Sequence, residues 1–156
     1  SKHMLAGLMY SEKKFDEAEK LEREAIAIQS KNLEPSHPDR ALYNQFLTQV
    51  LLKRGRYGEA RRVMEDCLAC QSNASDSDPV ALAWSRNLLG QSMLRNGNPA
   101  VAETLIVGSV ETLLADATFA KSRKCEAVQA TVDVLAALRK ENEASKYRTQ
   151  LAELQK

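Results

Sequence analysis

Hydrophobic positions recur every 42 residues along this chain, at sites that face a neighbouring helix. Three leucines are in step, namely Leu5, Leu47 and Leu89. The position after each leucine is where two helices must approach closely, and it holds Ala6, Thr48 and Gly90 in turn. The fourth copy has Thr131 and Val132 there, which is a weaker match. Fixed self-similarity at this period indicates a stacked helical repeat.

A second recurring element marks the turn inside each repeat. Phe15, Tyr57 and Pro99 stand 42 residues apart, and each is followed three residues later by an alanine. The fourth copy has Glu141 at this place and Ala144 after it. Gly55 and Gly97 precede two of these turns, where a short connection needs unusual backbone angles. Stacked repeats expose long surfaces and rarely carry chemistry, so the pattern favours binding over catalysis.

The pattern predicts eight helices in four pairs, at residues 5–13, 15–30, 39–54, 57–71, 79–96, 99–115, 120–139 and 141–155. Polar residues and prolines separate the pairs. Asp78 is expected to cap the helix that Pro79 begins, and Asn98 with Pro99 repeats this arrangement. Pro38 is expected to fix the first turn of the third helix.

These residues resemble the tetratricopeptide repeat (TPR), a helix-turn-helix unit. Leu89-Gly90 with Gly97 and Ala102 is the clearest copy of its pattern. The 42-residue spacing and the connector His37-Pro38-Asp39 resemble the subclass found in kinesin light chains and many bacterial regulatory proteins. The resemblance implies an all-α fold, a right-handed superhelical array of about four units with a truncated first helix. The units span approximately 5–36, 37–78, 79–120 and 121–156.

The domain prediction is a single array over 5–156, preceded at 1–4 by the remnant of an expression tag. Because the first helix lacks its opening turns, the chain is expected to be a fragment of a longer protein. Its last unit, Val132 to Leu151, resembles the repeat that closes the carboxyl-terminal arrays of some bacterial serine/threonine kinases. Three cysteines, an odd number, suit a reducing, cytoplasmic compartment.

The TPR resemblance also implies which inner-helix positions line the concave surface. Carried onto this chain, they give a predicted peptide-binding set of Gln45, Gln49, Leu52, Lys53, Trp84, Asn87, Gln91, Leu94, Arg95, Gln129 and Asp133. Three pairs in this set, Gln45/Gln49, Asn87/Gln91 and Gln129/Asp133, lie one helical turn apart and form a ladder of polar groups. Amide side chains both donate and accept hydrogen bonds, so they suit the backbone of an extended peptide.

Polar contacts alone are too weak for tight binding. Four hydrogen bonds contribute about 2–6 kcal/mol, whereas micromolar affinity needs about 8 kcal/mol. Trp84 with Leu52 and Leu94 is therefore the predicted apolar anchor. The alternative is that the amides only solvate a helix face and that Trp84 packs at the start of its helix. Lys53 and Arg95 could meet an acidic side chain, or could simply be solvated.

Other functional classes are disfavoured by the composition. A net charge of +1 and the lack of a basic, aromatic-rich cluster argue against nucleic acid as a partner, and no apolar run is long enough for membrane insertion. Cys67 and Cys70 lie inside a helix without further ligands, so structural thiols are predicted and no metal or other cofactor is expected. No catalytic set of residues is present, and the chain is predicted not to be an enzyme.

Two hypotheses remain from the sequence. The first is a module that binds a partner protein or peptide on its concave face. It predicts that changing Gln49, Asn87 and Gln91 removes the ligand and leaves the fold intact. The second is a structural array that packs against other domains of its parent or associates with itself. Leu5 and Leu8 are expected to be exposed because the first helix is truncated, so self-association of the fragment could be an artefact of where it was cut.

Overall fold

The computed structural model describes residues 1–156 and contains eight α-helices and no strand. They are α1 (Lys2–Ser11), α2 (Phe15–Gln29), α3 (Pro38–Lys53), α4 (Tyr57–Ser72), α5 (Pro79–Arg95), α6 (Pro99–Ala115), α7 (Lys121–Ala137) and α8 (Glu141–Leu154). The predicted all-α class and the four helix pairs are confirmed. The helices divide into two compact units, each of which contains two of the four repeats. We call them unit 1, Ser1–Ser77 with α1 to α4, and unit 2, Asp78–Lys156 with α5 to α8. None of the helices is long and apolar enough to cross a lipid bilayer.

The first helix differs most from its prediction. It begins at Lys2 and not at residue 5, and it ends at Ser11. The Ser1 hydroxyl accepts a hydrogen bond from the Met4 N–H at 3.3 Å and so caps this helix. Residues 2–4, predicted to fit no repeat position, therefore continue the helical register of α1.

The turn inside each pair has the same backbone in all four repeats. Positions 42 residues apart adopt a left-handed conformation, with φ of 61° at Lys13, 73° at Gly55, 86° at Gly97 and 60° at Arg139. The N–H that follows each of them bonds back to a carbonyl of the preceding helix, at 2.8–2.9 Å. Two glycines thus occupy a conformation that costs a side-chain-bearing residue about 1 kcal/mol or more.

A fully buried alanine lies just after each turn. Ala18, Ala60, Ala102 and Ala144 all have 0% exposure. At these positions the second helix of the pair packs against the first, and the space between the helices accommodates only a methyl group. In unit 2 the core around Ala102 and Ala144 includes Ile106, Ala130, Val134 and Leu135.

Ion pairs fasten one repeat to the next within each unit. In unit 1, buried Glu19 on α2 accepts from Arg56 at 2.9 Å and also from Arg23 and Arg54. Burial alone would raise the pKa of Glu19, but the hydrogen bonds from Arg23 and Arg54, together with the charges of Arg23 and Arg56, outweigh it and lower the pKa. Unit 2 repeats the Arg56–Glu19 contact 84 residues later, as the pair between Lys140 and Glu103.

The predicted helix starts are largely confirmed. Asp78 caps α5 by accepting from the Val80 N–H at 3.0 Å, and His37 caps α3 by accepting from the Asp39 N–H at 3.1 Å. Pro79, Pro38 and Pro99 occupy first-turn positions. Asn98 precedes Pro99 as expected but makes no side-chain capping bond. Its backbone N–H is already used in the turn, where it bonds to Met93.

We expect Gly90→Ala to destabilise unit 2 by about 1–3 kcal/mol. A Cβ atom at this position would lie 2.6 Å from Ile106 Cγ1 and 3.1 Å from Leu105 Cβ, where α5 packs against α6. The measurement is the free energy of unfolding in urea, followed by circular dichroism. Gly108→Ala is the matched control, because a Cβ there has nothing within 4 Å. It should stabilise α6 by roughly 0.5–1 kcal/mol. Equal effects of the two substitutions would contradict this account of the packing.

Candidate protein-binding surface

Five predicted residues lie together on α5 and α7, the first helices of the two repeats in unit 2. We call this surface the α5–α7 face, and it comprises Gln91, Leu94, Arg95, Gln129 and Asp133. Arg95 Nη2 on α5 lies 3.6 Å from Asp133 Oδ2 on α7, so this ion pair connects the two helices. Gln91 precedes Arg95 by one turn, and Gln129 precedes Asp133 by one turn. In the 42-residue register Gln91 corresponds to Asp133 and Gln129 corresponds to Asn87, so the two amides differ by one turn along their helices. Leu94 is half-buried and packs on the unit 2 core.

Hydrogen bonds along each helix hold the two amides in place. Gln91 Nε2 donates to Asn87 Oδ1 at 2.8 Å, and Gln129 Nε2 donates to Asp133 Oδ1 at 2.9 Å. The polar pairs predicted at this spacing therefore do bond to each other within unit 2. Because these hydrogen bonds already restrict the side chains in the free protein, binding a ligand would cost less side-chain conformational entropy.

Asn87 belongs to the interior and not to the surface. Its side chain is fully buried, and its Nδ2 donates to Ser109 Oγ on α6 at 3.1 Å. The Ser109 hydroxyl in turn lies 2.8 Å from the Leu105 carbonyl oxygen. Removing Asn87 would leave buried polar groups unpaired, so the expectation that an alanine here leaves the fold intact is not supported by this geometry.

Trp84 is also inside the protein. Its side chain is 1% exposed and meets Phe119 edge-on, with ring centroids 5.4 Å apart. Phe119 lies in the loop between α6 and α7, which Asp116 stabilises by accepting from the N–H groups of Thr118 and Phe119. The indole nitrogen has no hydrogen-bond partner. In this structure Trp84 matches the packing alternative, and it is not available as a surface anchor.

The predicted residues in unit 1 also include both buried and exposed side chains. Gln45 and Gln49 on α3 are buried, and both take part in interactions within the protein. Leu52 is half-buried against the core formed by Leu47, Leu51 and Ala60. Lys53 is exposed and lines a shallow groove of about 550 Å³ together with Lys13, Lys14, Phe15, Asp16, Glu17 and Arg54.

Two features of the site were missed by sequence reasoning. Ser109, which holds Asn87, occupies the position that Ala25 and Cys67 occupy in the first two repeats, so the repeat pattern alone indicates a core site. A polar residue opposite an inward-facing asparagine is the signal that could have identified the pair. The second feature is a buried acid on α2, Glu22, at a position that holds Met64 and Ile106 in the next two repeats.

Glu22 is fully buried and contacts a single ionisable side chain. His3 Nδ1 on α1 lies 2.9 Å from both carboxyl oxygens, and the imidazole stacks on Tyr43 with centroids 4.1 Å apart. Burial raises the pKa of Glu22 to about 8. This pair stabilises the contact between α1 and α2.

The cysteines make no metal cluster with other potential ligands. Cys67 is buried, and its Sγ donates to Gln71 Oε1 at 3.6 Å. Cys70 and Cys125 are half-buried free thiols.

Comparison with known proteins finds similar repeats. The tetratricopeptide-repeat family model matches residues 1–73. Two solved structures of nearly identical TPR-like repeats come from a Podosopora anserina protein assigned as a kinesin light chain. They are 22% identical to this chain and cover 99% of it and 73% of their own length. Their TM-scores are 0.70 for a substituted form and 0.67 for the other structure.

A third solved structure is BtubC (BKLC) from P. vanneervenii. It has a TM-score of 0.76 at 13% identity, covering 99% of this chain and 61% of that one. No curated protein sequence matches the chain. The likenesses at this level of identity concern the fold, and they confirm the resemblance to TPR-like repeats of the kinesin-light-chain kind. Repeats with this fold generally mediate protein–protein interaction.

We expect Glu22→Gln to remove a pH dependence of stability. The folded-state pKa of Glu22, about 8, is above its ordinary value of 4.5. Its contribution to stability is therefore complete below pH 4.5 and is lost as the pH rises through about 8, by up to about 1.4 kcal/mol per pH unit. Urea unfolding between pH 5 and 9 measures the slope.

The neutral amide in Glu22→Gln should flatten that slope, whereas Glu17→Gln, at an exposed position on the same helix, should leave it unchanged. If the free energy of unfolding depended on pH as strongly in Glu22→Gln as in the native protein, the Glu22 carboxyl group would not be the source of that dependence.

Proposed function

We propose that this array of TPR-like repeats binds an extended segment of a partner protein on the α5–α7 face. The observation that carries the proposal is the ordered polar surface on two neighbouring helices, formed by the Gln91–Asn87, Gln129–Asp133 and Arg95–Asp133 contacts. Arg95 and Gln129 are exposed and Gln91 and Asp133 are half-buried, whereas Asn87 is buried and holds Gln91 from inside the fold. Fixed polar groups around a half-buried leucine suit a peptide that lies across the two helices.

The expected affinity is modest. Three or four hydrogen bonds supply about 2–6 kcal/mol, and the buried Trp84 is not available to add a large apolar contact. Leu94 is the apolar residue on this face, and it is only half-buried by the core. A dissociation constant of tens of micromolar or weaker follows for a single segment, since micromolar binding needs about 8 kcal/mol.

Such a module acts as a scaffold and carries no reaction of its own. TPR-like repeats are typically non-catalytic. On the α5–α7 face, Asp133 contacts both Gln129 and Arg95, so these polar side chains already have partners within the protein. The chain would then recruit a partner protein, in a reducing compartment such as the cytoplasm.

Self-association is a second candidate, and one observation favours it. Met4, Leu5 and Leu8 on α1 are 74%, 45% and 51% exposed, and they form one apolar patch on a single helix. The corresponding residues of the second repeat, Phe46, Leu47 and Val50, are buried. Apolar patches of this kind often mark an interface.

The test is capture of partners from lysate by the native protein and by a variant with Gln91→Ala, Arg95→Ala and Gln129→Ala, with quantitative mass spectrometry. We expect a partner whose recovery falls at least about tenfold with the variant, which corresponds to the loss of two or three hydrogen bonds. The matched control changes three exposed residues on α6 and α8, Thr104, Thr112 and Lys146, to alanine, and it should retain the partner.

Equal recovery by all three proteins would contradict binding on the α5–α7 face. Light scattering against concentration then examines the second candidate, because Leu5→Lys with Leu8→Lys should abolish any self-association that the α1 patch causes.

A further inference from the structure

We propose that the outer side of α6 binds the same surface of a second copy of this chain, as an antiparallel helix pair with its two-fold axis at Gly108. The inference goes beyond partner binding on the α5–α7 face, because it concerns the second helix of the third repeat. We call this surface the α6 face. It comprises Val101, Thr104, Gly108, Thr112 and Ala115, all of which are exposed.

The five residues lie on one side of the helix. At 3.6 residues per turn they fall within an arc of about 80°, away from the side that Ile106 and Leu113 bury in the core. Val101 is a large apolar residue, yet it is 45% exposed. A Cβ atom at Gly108 would have nothing within 4 Å. The backbone of another helix can therefore approach α6 closely at Gly108.

The other three repeats carry charges where the α6 face carries none. At intervals of 42 residues from Val101, Thr104 and Gly108, eight of the nine corresponding residues are charged. They are Glu17, Glu59 and Glu143, then Lys20, Arg62 and Lys146, then Glu24 and Asp66, with Gln150 as the uncharged ninth. Charged side chains keep a helix surface in contact with water. Their replacement by apolar and small residues in one repeat indicates a surface that contacts protein.

The charges that α6 does carry are engaged within unit 2. The helix has two charged residues, Glu103 and Glu111. Glu103 accepts a hydrogen bond from Lys140 Nζ, and Glu111 accepts one from the Tyr147 hydroxyl group at 3.2 Å. Contact through the α6 face therefore buries no unpaired charge, which would be costly.

The order of residues along the α6 face identifies a second copy as the occupant. Read from either end, the face runs apolar, threonine, glycine, threonine, apolar, with spacings of three, four, four and three residues. A contact between identical surfaces has two-fold symmetry, so each residue must suit the one that the axis places opposite it. In an antiparallel pair centred on Gly108, Thr104 of one copy lies opposite Thr112 of the other, and Val101 lies opposite Ala115. Threonine hydroxyl groups can donate to and accept from each other.

The expected dimer is weak. A single pair of helices covers less than the roughly 1,200 Å² that stable protein interfaces bury in total. We expect a dissociation constant on the order of 0.1–1 mM. The contact is mainly apolar, so added salt should change this constant little.

Sedimentation equilibrium at protein concentrations up to about 1 mM tests the proposal. Every sample carries Leu5→Lys and Leu8→Lys, so that the α1 patch does not contribute to association. We expect this protein to dimerise and Gly108→Glu to weaken the dimer at least about tenfold, because the axis brings the two new carboxylates together and like charges at an interface repel strongly.

Ala100→Glu is the matched control. Ala100 is exposed on the same helix but lies outside the α6 face, so the added acid should leave the dimer unchanged. Each substitution introduces an acid where the first repeat has one, Glu24 for Gly108 and Asp16 for Ala100, so the fold should accept both. Circular dichroism confirms that each variant is folded.

A mixture of two variants tests the position of the axis. Gly108→Lys alone should be as weak as Gly108→Glu alone, because each places like charges opposite each other. An equal mixture of the two should associate at least about tenfold more tightly than either variant, since opposite charges then meet at the axis.

The outcomes separate the possible occupants. A dimer that Gly108→Glu weakens, that Ala100→Glu keeps and that the mixture restores supports the proposal. A protein that stays monomeric at about 1 mM, or a dimer that Gly108→Glu leaves unchanged, overturns it. If the protein is monomeric and a lysate protein is captured by Ala100→Glu but lost by Gly108→Glu, the α6 face receives a different protein and the second-copy proposal is wrong. Binding on the α5–α7 face is judged by its own variants and stands or falls separately.

Discussion

Every repeat of this protein depends on the close contact of its two helices at a buried alanine just after the turn. The four alanines are fully buried, and the left-handed residue before each turn lets the chain reverse within three residues. A larger side chain at the alanine would separate the helices, because interiors are packed to near the density of organic crystals. The turn and the alanine therefore act together, and both recur every 42 residues.

This contact leaves one face of each first helix turned away from its partner helix. In unit 2 that face carries polar residues, and they are bonded to each other and to the core. A buried asparagine reaches across to α6, and an arginine on α5 meets an aspartate on α7. Packing of the helices thus determines the positions of the amides, and the amides determine what the surface can bind.

The fold could be predicted from the sequence because its signals are local. The turn glycines, the prolines at helix starts and the alanines each report on a few neighbouring residues, and the helix bounds agree within a few residues throughout. The left-handed Lys13 and Arg139 follow from the period alone, although their residue type does not favour that conformation.

The site was predicted less completely, because burial depends on contacts between distant residues. Trp84 is covered by Phe119, 35 residues later, and Asn87 is held by Ser109 on the next helix. The repeat pattern places both residues on an inner-helix face, but it cannot tell which of them a loop or a hydroxyl group draws into the core. The hydrogen bonds of Gln91 and Gln129 are local, because their partners lie one turn away on the same helix.

The central claim is that the α5–α7 face is the surface that receives the partner. Chemical-shift mapping of the ¹⁵N-labelled protein during titration with the captured partner segment tests it most directly. The account predicts the largest shifts at Gln91, Arg95, Gln129 and Asp133, including the side-chain amides, with little change at Thr104 and Thr112 on α6. Shifts concentrated at Leu5 and Leu8 on α1, with the α5–α7 face unchanged, would contradict it.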